Sequence, residues 1–460
     1  MTDVHLIGIG GSGLSAIARV LMESGKTVTG SDRVLSPEAQ ALIRDGARVS
    51  LGHAAENVTG AEVVVRSSAI PDNNPEVLAA RNAGIPVLKR IDYLGQLMVN
   101  DKCIAIAGTH GKTTTTAMTA WTMSHLGTDP SYIIGGISKN LGSNAHAGQG
   151  GYFVIEADEY DRMFHGLAPH IAIITNMEHD HPDCYPTPQD YREAFKAFVE
   201  RIKDDGILLA CADNAETLAL AAEAAETRTV FTYGKGENAH YQAQNIQRNH
   251  DGGYSFSIVH RTQPGAAPAP LAEVALSVPG YHNIYNATAC MAAMHQLGFD
   301  LKDAAAAVQQ FSGAGRRFDL RGIAGGVTVI DDYAHHPTEI RATLEAARTR
   351  FPQQRLFVVW QPHTYSRSEA LQDDFIQALA AADQVLITRI YAAREKDTGF
   401  SALSIADKMP DGTSYAEDLQ DAEKQVLEQL QPGDVLLVLS AGDAIQISEN
   451  VFAALKEQEA

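Results

Sequence analysis

Apolar residues recur along this chain in short blocks, each followed by glycine or polar residues and then by a stretch with helical spacing, which predicts a parallel α/β fold. The first block, Val4 to Ile9, turns at Gly8, Gly10, Gly11 and Gly13 and passes into a helical pattern carried by Leu14, Ile17, Ala18 and Leu21. Strands over Thr27 to Gly30, Val63 to Val65 and Val87 to Leu88 follow, the first of them ending at Ser31 and Asp32. A polar break at Asn100 to Lys102 precedes a new strand, Ile104 to Ala107, with others over Tyr152 to Ile155 and Ile171 to Thr175. Gln263 to Pro270 reads as a Pro- and Ala-rich loop, and Ala287 to Leu297 as a helix. After Gly313 to Arg317 come strands over Val327 to Ile330, Leu356 to Val359, Val385 to Thr388 and Val435 to Leu439. The pattern divides into three α/β domains over residues 1–100, 101–314 and 315–460, consistent with roughly 150 residues per domain.

Composition narrows the function classes. A content of 45% hydrophobic and 20% charged residues excludes disordered and collagen-like readings. The net charge of −20 opposes binding to nucleic-acid backbones and anionic membranes, so any nucleotide has to be held by local groups. No apolar run reaches the roughly 18 residues of a membrane span, and no Lys or Arg precedes Arg19 as a signal peptide would require, so a cytoplasmic location is expected. Cys103, Cys184, Cys211 and Cys290 form no CxxC pair and read as buried thiols in a reducing compartment.

Six segments carry candidate chemistry. Gly8, Gly10 and Gly13 match G-x-G-x-x-G between a strand and a helix, with Asp32 about 20 residues on, the spacing of a dinucleotide site. Such glycines admit any nucleotide diphosphate to a helix N-terminus, so NAD is one reading, another nucleotide a second and a plain tight turn a third. Gly108-Thr109-His110-Gly111-Lys112-Thr113-Thr114 supplies the parts of a P-loop: backbone N–H groups for phosphate, Lys112 for the β/γ oxygens and a hydroxyl for Mg²⁺. The general pattern would place glycine where Ile106 stands. Glu156-Ala-Asp158-Glu159 and Asn176-Met-Glu178-His179-Asp180-His181-Pro-Asp183 follow strands, where carboxylates and an imidazole would reach Mg²⁺ beside ATP; the alternative is a solvated loop. Asp331-Asp332-Tyr333-Ala334-His335-His336-Pro337 and Gln361-Pro-His363-Thr-Tyr-Ser-Arg367 also end strands, and there a metal site competes with helix capping and hydrogen-bonded histidines.

Taken together, the chain resembles the Mur ligase family of ATP-dependent amide-bond ligases over essentially its whole length. The resemblance rests on Gly108 to Thr114, Glu156 to Glu159, Asp180-His181, Gly280-Tyr-His282-Asn283-Ile-Tyr-Asn286-Ala287, Gly315-Arg-Arg317-Phe318 and Asp332 to Pro337. The family's shorter G-T-x-G-K-[ST] loop needs no glycine at Ile106. The resemblance implies a Rossmann-like UDP-binding domain, a central P-loop ATPase α/β domain and a C-terminal Rossmann-like α/β domain. It implies ATP as co-substrate and two Mg²⁺ ions, one through Thr113 and a second through Glu156 and His181. Lys112, Glu156, His181 and His335 are the implied catalytic residues. Gly108 to Thr114, with His282, Asn283, Asn286, Arg317 and Asp332, would bind ATP. The first glycine turn passes from NAD to the UDP diphosphate, with Gly10, Gly11, Ser12, Gly13, Asp32, Ser67 and Ser68 as contacts. Tyr333, His335, His363 and Arg367 would surround the amino acid.

The segment Gln361 to Arg367 implies L-alanine as the amine and UDP-N-acetylmuramate as the acid, whereas Glu159-Tyr-Asp161 looks more like a recycling ligase for L-Ala-γ-D-Glu-meso-diaminopimelate. Lys196, fifteen residues after His181, matches the spacing of a carbamoylated lysine in some relatives; the alternative is a solvated surface charge. An NAD-linked oxidoreductase would leave the P-loop and both acidic clusters unexplained, and a nucleotide-regulated binding protein would not need the full set of ligase motifs.

Overall fold

The computed structural model describes residues 2–263, 265–393, 395–410 and 412–459. The chain divides into two compact units, Met1–Asn245 with Ser257–Val274 and Tyr285–Phe311, and Ile246–Phe256 with Ala275–Ile284 and Ser312–Ala460.

The first unit holds a five-stranded parallel sheet, in the order Arg48–Leu51, Val28–Asp32, Thr2–Ile7, Ala61–Arg66, Val87–Lys89. The strand order reverses at Thr2–Ile7, and the glycine turn sits at that strand's C-terminal end, where open α/β sheets place their ligands. The same unit contains the parallel run Ile207–Cys211, Ile171–Ile174, Lys102–Ala107, Tyr152–Glu156, Ser131–Ile133. Lys102–Ala107 is buried along nearly its whole length, as an uninterrupted apolar run in a covered parallel sheet should be. Both strands that precede the acidic clusters are its direct neighbours, Tyr152–Glu156 on one side and Ile171–Ile174 on the other. Their C-terminal ends therefore converge on the P-loop.

The second unit is built on six strands, ordered Asp319–Ala324, Val327–Asp332, Val435–Leu439, Leu356–Trp360, Gln384–Thr388, Thr413–Ala416, parallel except for the first. Trp360, fully buried, packs its ring against Phe375 at 4.6 Å.

Some elements differ from the pattern read from the sequence. The helix expected from Ala287 begins at His282, because Gly280 at φ 98° turns the chain one helical turn earlier. Asp319–Ala324 and the strands Tyr241–Arg248 and Tyr254–His260 were not anticipated; each is only partly covered and so lacks a continuous apolar run. Strand Ala269–Ala275 takes up the end of the Gln263 to Pro270 loop, of which Pro264 lies outside the described residues. Cys103, Cys211 and Cys290 are buried, but Cys184 is only partly covered because it sits in the polar loop after Asp183. Among the described residues no helix is long and apolar enough to cross a membrane.

A buried carboxylate organises the first sheet. Glu76, with no exposed surface, accepts from Ser31 Oγ at 2.6 Å, Asn57 Nδ2 at 2.5 Å and the Ala54 N–H at 3.2 Å, and lies 3.5 Å from His5 Nε2. Burial pushes this carboxyl up, but hydrogen bonds from His5, Ser31 and Asn57 outweigh it and hold it at about 2. Because that value lies below the ordinary 4.5, the stabilisation is complete above pH 4.5 and disappears as pH falls through about 2. Glu76→Ala should destabilise the protein by about 3 kcal/mol in urea unfolding at pH 7, since three donors lose a buried acceptor, with the deficit shrinking in acid.

Candidate active site

The P-loop spans the gap between strand Lys102–Ala107 and helix Lys112–His125. Gly111 caps the helix in a left-handed conformation at φ 81°, and a Cβ there would fall 2.8 Å from Asn286 Oδ1. Only glycine fits both conditions. The loop is braced from the Ile171–Ile174 side: Asn176 Oδ1 accepts from the His110 N–H at 2.9 Å, Thr109 Oγ1 donates to the Glu178 carbonyl at 2.9 Å, and His110 Nε2 meets Glu178 at 2.9 Å.

Lys112 Nζ donates to Glu159 Oε1 at 2.9 Å and to the carbonyls of Gly108 at 2.6 Å and Thr109 at 3.1 Å. Burial alone would lower the Lys112 ammonium and raise Glu159. The mutual attraction wins on both sides, so the lysine sits above its usual range and the carboxyl below. His181 Nε2 lies 3.7 Å from the same carboxylate, held in a left-handed backbone at φ 56° and edge-on to the Tyr160 ring at 5.1 Å. Thr113 Oγ1 donates to Glu156 Oε1 at 3.1 Å, and Glu156 Oε2 accepts from the Gly135 N–H at 2.7 Å.

The structure thus gathers Lys112, Thr113, Glu156 and His181 and adds Glu159, a member of the first acidic cluster that was not singled out as a ligand. Glu159 Oε2 is buried and has no hydrogen-bond partner among the described residues. That orphaned oxygen beside a hydroxyl, a second carboxylate and an imidazole fits a hard divalent cation. Lys196 is about half exposed and pairs with Glu223 at 3.7 Å.

At the first glycine turn, Asp32 Oδ2 accepts from the Gly10 N–H at 2.9 Å and Ser36 Oγ donates to the Gly10 carbonyl at 2.9 Å. Asp32 therefore shapes the turn. Ser67 donates its N–H to the Ile7 carbonyl at 3.0 Å, beside the turn, and Ser68 is exposed. The unexpected neighbour is Arg90: a Cβ at Gly13 would fall 1.7 Å from its Nη1. Its guanidinium lies at the N-terminus of helix Ser12–Glu23 and meets Asp158 at 3.4 Å, placing a cation where a diphosphate would be bound.

In the second unit, Asp332 Oδ2 accepts from the Phe318 N–H at 2.7 Å and Oδ1 from the Ala334 N–H at 2.8 Å. Burial pushes its carboxyl up to about 6 against the pull of Arg317. The guanidinium groups of Arg316 and Arg317 lie 4.8 and 5.1 Å from the Tyr333 ring centroid, and Glu339 meets both Arg317 at 3.4 Å and His335 Nδ1 at 3.2 Å. His335 and His363 stand edge to face at 5.4 Å, and Arg367 Nη1 lies 3.1 Å from His363 Nδ1. His336 accepts from the Thr338 N–H at 3.3 Å and so caps helix Pro337–Arg350, as the capping reading anticipated. Asn283 donates to the Pro279 carbonyl at 2.6 Å, and the His282 ring packs at Gly280.

Models of the Mur ligase family, catalytic domain, of the Mur ligase middle domain and of the Mur ligase, glutamate ligase domain match residues 3–102, 106–294 and 316–442. A UDP-N-acetylmuramate–L-alanine ligase of Caldanaerobacter subterraneus subsp. tengcongensis is 39% identical over 459 residues, covering 99% of this chain and 98% of that protein. The chain belongs to the Mur ligase family. A namesake enzyme from Acidithiobacillus ferrooxidans is 43% identical over 97% of this chain and 96% of its own. Among solved structures, the UDP-N-acetylmuramate-alanine ligase of Thermotoga maritima superposes with a TM-score of 0.83 at 29% identity, covering 100% of both chains. A murein peptide ligase from Psychrobacter arcticus gives 0.72 at 26% identity over 99% of each chain. As a Mur ligase the protein is an ATP-dependent ligase that uses Mg²⁺. The NAD reading of the first glycine turn falls away.

Lys112→Ala should cost about 3 kcal/mol of stability in denaturant unfolding, because it leaves the Glu159 carboxylate buried and uncompensated. The double variant Lys112→Ala/Glu159→Gln should recover most of that loss.

Proposed function

We propose that this ligase joins L-alanine to the lactyl carboxylate of UDP-N-acetylmuramate, through an acyl phosphate and with release of ADP and phosphate, in the assembly of a peptidoglycan precursor. The observation that carries the reading is full-length similarity, at about 40% identity, to curated enzymes of that activity.

The first step brings a carboxylate against a triphosphate, and like charges must be screened for the lactyl oxygen to attack the γ-phosphorus. Lys112, already charged and aimed into the loop, is assigned to the β/γ oxygens, where it offsets charge developing in the transition state. Gly108 to Thr114 supply N–H groups to the phosphates. Thr113, Glu156 and His181 are the proposed Mg²⁺ ligands at two positions, with Glu159 beside them; bound Mg²⁺ would supply further charge neutralisation. His282, Asn283 and Asn286 are assigned to the adenine, and Arg317 and Asp332 to further nucleotide contacts, on family resemblance. Gly10 to Gly13, Asp32, Ser67 and Ser68 are assigned to the UDP portion, and Arg90 joins them as a diphosphate contact.

In the second step the alanine amine attacks the acyl carbon and phosphate leaves. Tyr333, His335, His363 and Arg367 are assigned to alanine, with the Arg367 fork on its carboxylate and His335, held by Glu339 and the Tyr333 carbonyl, near its amine. A cytoplasmic location, where ATP is available, completes the reading. The second reading, a tripeptide acceptor, rests on the likeness of the sequence Glu159-Tyr-Asp161 to a recycling ligase.

ADP release with ATP, Mg²⁺ and UDP-N-acetylmuramate decides between them. Turnover with L-alanine is expected, and none without an amine; turnover only with L-Ala-γ-D-Glu-meso-diaminopimelate would overturn the proposal in favour of recycling. In the same assay Lys112→Ala should lower kcat at least about 100-fold. Arg367→Ala should raise the KM for alanine by about 10- to 100-fold, as loss of a charge-assisted bond to the carboxylate requires.

A further inference from the structure

Of the first acidic cluster, Glu156 is taken up by Thr113 and Gly135, and Glu159 by Lys112, while Asp158 has no assigned part. Its half-exposed carboxylate is divided between two neighbours. Oδ1 accepts from the Tyr160 N–H at 3.0 Å, and the Asp158 carbonyl accepts from the Phe164 N–H at 2.9 Å, so the residue is fixed to its own turn. Oδ2 is left to meet Arg90 Nη2 at 3.4 Å.

Arg90 has no other side-chain hydrogen bond or ion pair among the described residues. Its side chain lies along the first glycine turn: a Cβ at Gly13 would fall 1.7 Å from Nη1, 2.8 Å from Cζ and 3.4 Å from Cδ. The N–H groups of Ser12 and Gly13 have no acceptor among the described residues, as expected in the first turn of a helix. A cation and orphaned donors thus stand together at a helix N-terminus, an arrangement that suits an anionic group.

A contact between backbones keeps the ion pair in register. Arg90 opens helix Arg90–Leu97, which packs on the segment Tyr160–Gly166 that follows Asp158. A Cβ at Gly95 would fall 2.7 Å from the Gly166 carbonyl oxygen, and one at Gly166 would fall 2.1 Å from that of Ile91. With no side chain between them, the two elements cannot slide past each other. A free arginine loses much rotamer freedom when it grips a phosphate. Here a carboxylate oxygen, itself fixed through Tyr160, has already ordered the guanidinium. The 3.4 Å contact is long for a charge-assisted bond, so it orients the fork and leaves its remaining donors for a ligand.

We propose that Asp158 is a positioning residue for the UDP diphosphate, acting through Arg90. The inference rests on the assignment of the glycine turn to UDP. It makes the acidic cluster serve both substrates, with Glu156 and Glu159 turned to the nucleotide loop and Asp158 to the UDP turn.

Calorimetric titration of the full chain with UDP-N-acetylmuramate, and with ADP and Mg²⁺ as the control ligand, tests it. Asp158→Ala should bind UDP-N-acetylmuramate about five- to tenfold more weakly, the loss expected when a pre-ordered side chain becomes mobile. Asp158→Asn, which keeps an acceptor oxygen, should lose no more than about threefold. Both variants should bind ADP no more weakly than the wild type, which shows that they are folded. Arg90→Ala should lose at least about tenfold, and adding Asp158→Ala to it should cost nothing further, because the second residue acts only through the first. Unchanged or tighter binding of UDP-N-acetylmuramate by Asp158→Ala would overturn the inference and leave the UDP assignment standing. Full additivity in the double variant, or an equal loss for ADP, would also overturn it. If the wild type fails to bind UDP-N-acetylmuramate up to about 1 mM, the UDP assignment itself falls and the inference with it.

Discussion

An ammonium and a carboxylate, both removed from solvent, hold each other charged at the centre of the nucleotide loop. Burying either alone would cost several kcal/mol and would drive it to its neutral form. Lys112 and Glu159 avoid this through a 2.9 Å contact and the added carbonyls of Gly108 and Thr109. The pair also ties together two adjacent strand ends, since Lys112 opens the helix after Lys102–Ala107 and Glu159 lies just past Tyr152–Glu156. With those ends joined, Thr113 meets Glu156 and His181 approaches Glu159. The charges a phosphoryl transfer needs are thus oriented by protein contacts before substrate arrives, so less reorganisation is left for the reaction itself.

The same economy recurs at the other strand ends, where acidic residues first serve the backbone. Asp32 receives the Gly10 N–H and so shapes the glycine turn. Asp332 receives the N–H groups of Phe318 and Ala334, holding Arg317 and Tyr333 in a loop where Arg316 and Phe318 adopt left-handed backbones. Its neighbour Asp331, fully buried between Arg316 at 3.7 Å and Arg321 at 3.8 Å, is likewise pushed up to about 6 by burial. The Asp331 and Asp332 carboxyls stand within reach of arginines yet lie too deep to titrate as surface groups do, a mark of sites where polar groups are fixed at some cost in stability.

Local motifs were legible because each is written within a single strand-turn-helix unit. The glycine turn, the P-loop and the four later clusters need only the adjacent strand and helix to take shape, and period and turn chemistry suffice to find them. The strands Val435–Leu439 and Leu356–Trp360 stood out for the same reason, being continuous apolar runs buried on both faces. Strands with one wet face were missed because alternating residues carry a weaker signal than a run does.

What the sequence by itself determined is therefore the α/β class, the positions of the ligand-facing turns and the family chemistry they carry. The tertiary structure alone decided which turns meet. Lys112 and Glu159 are 47 residues apart, Arg90 and Asp158 are 68 apart, and Asn286 reaches Gly111 from a different helix. Tyr391 likewise meets His363 from another strand end. Such pairings depend on the order of strands in each sheet, which is set by packing and crossover connections among distant segments and leaves no local periodicity to read.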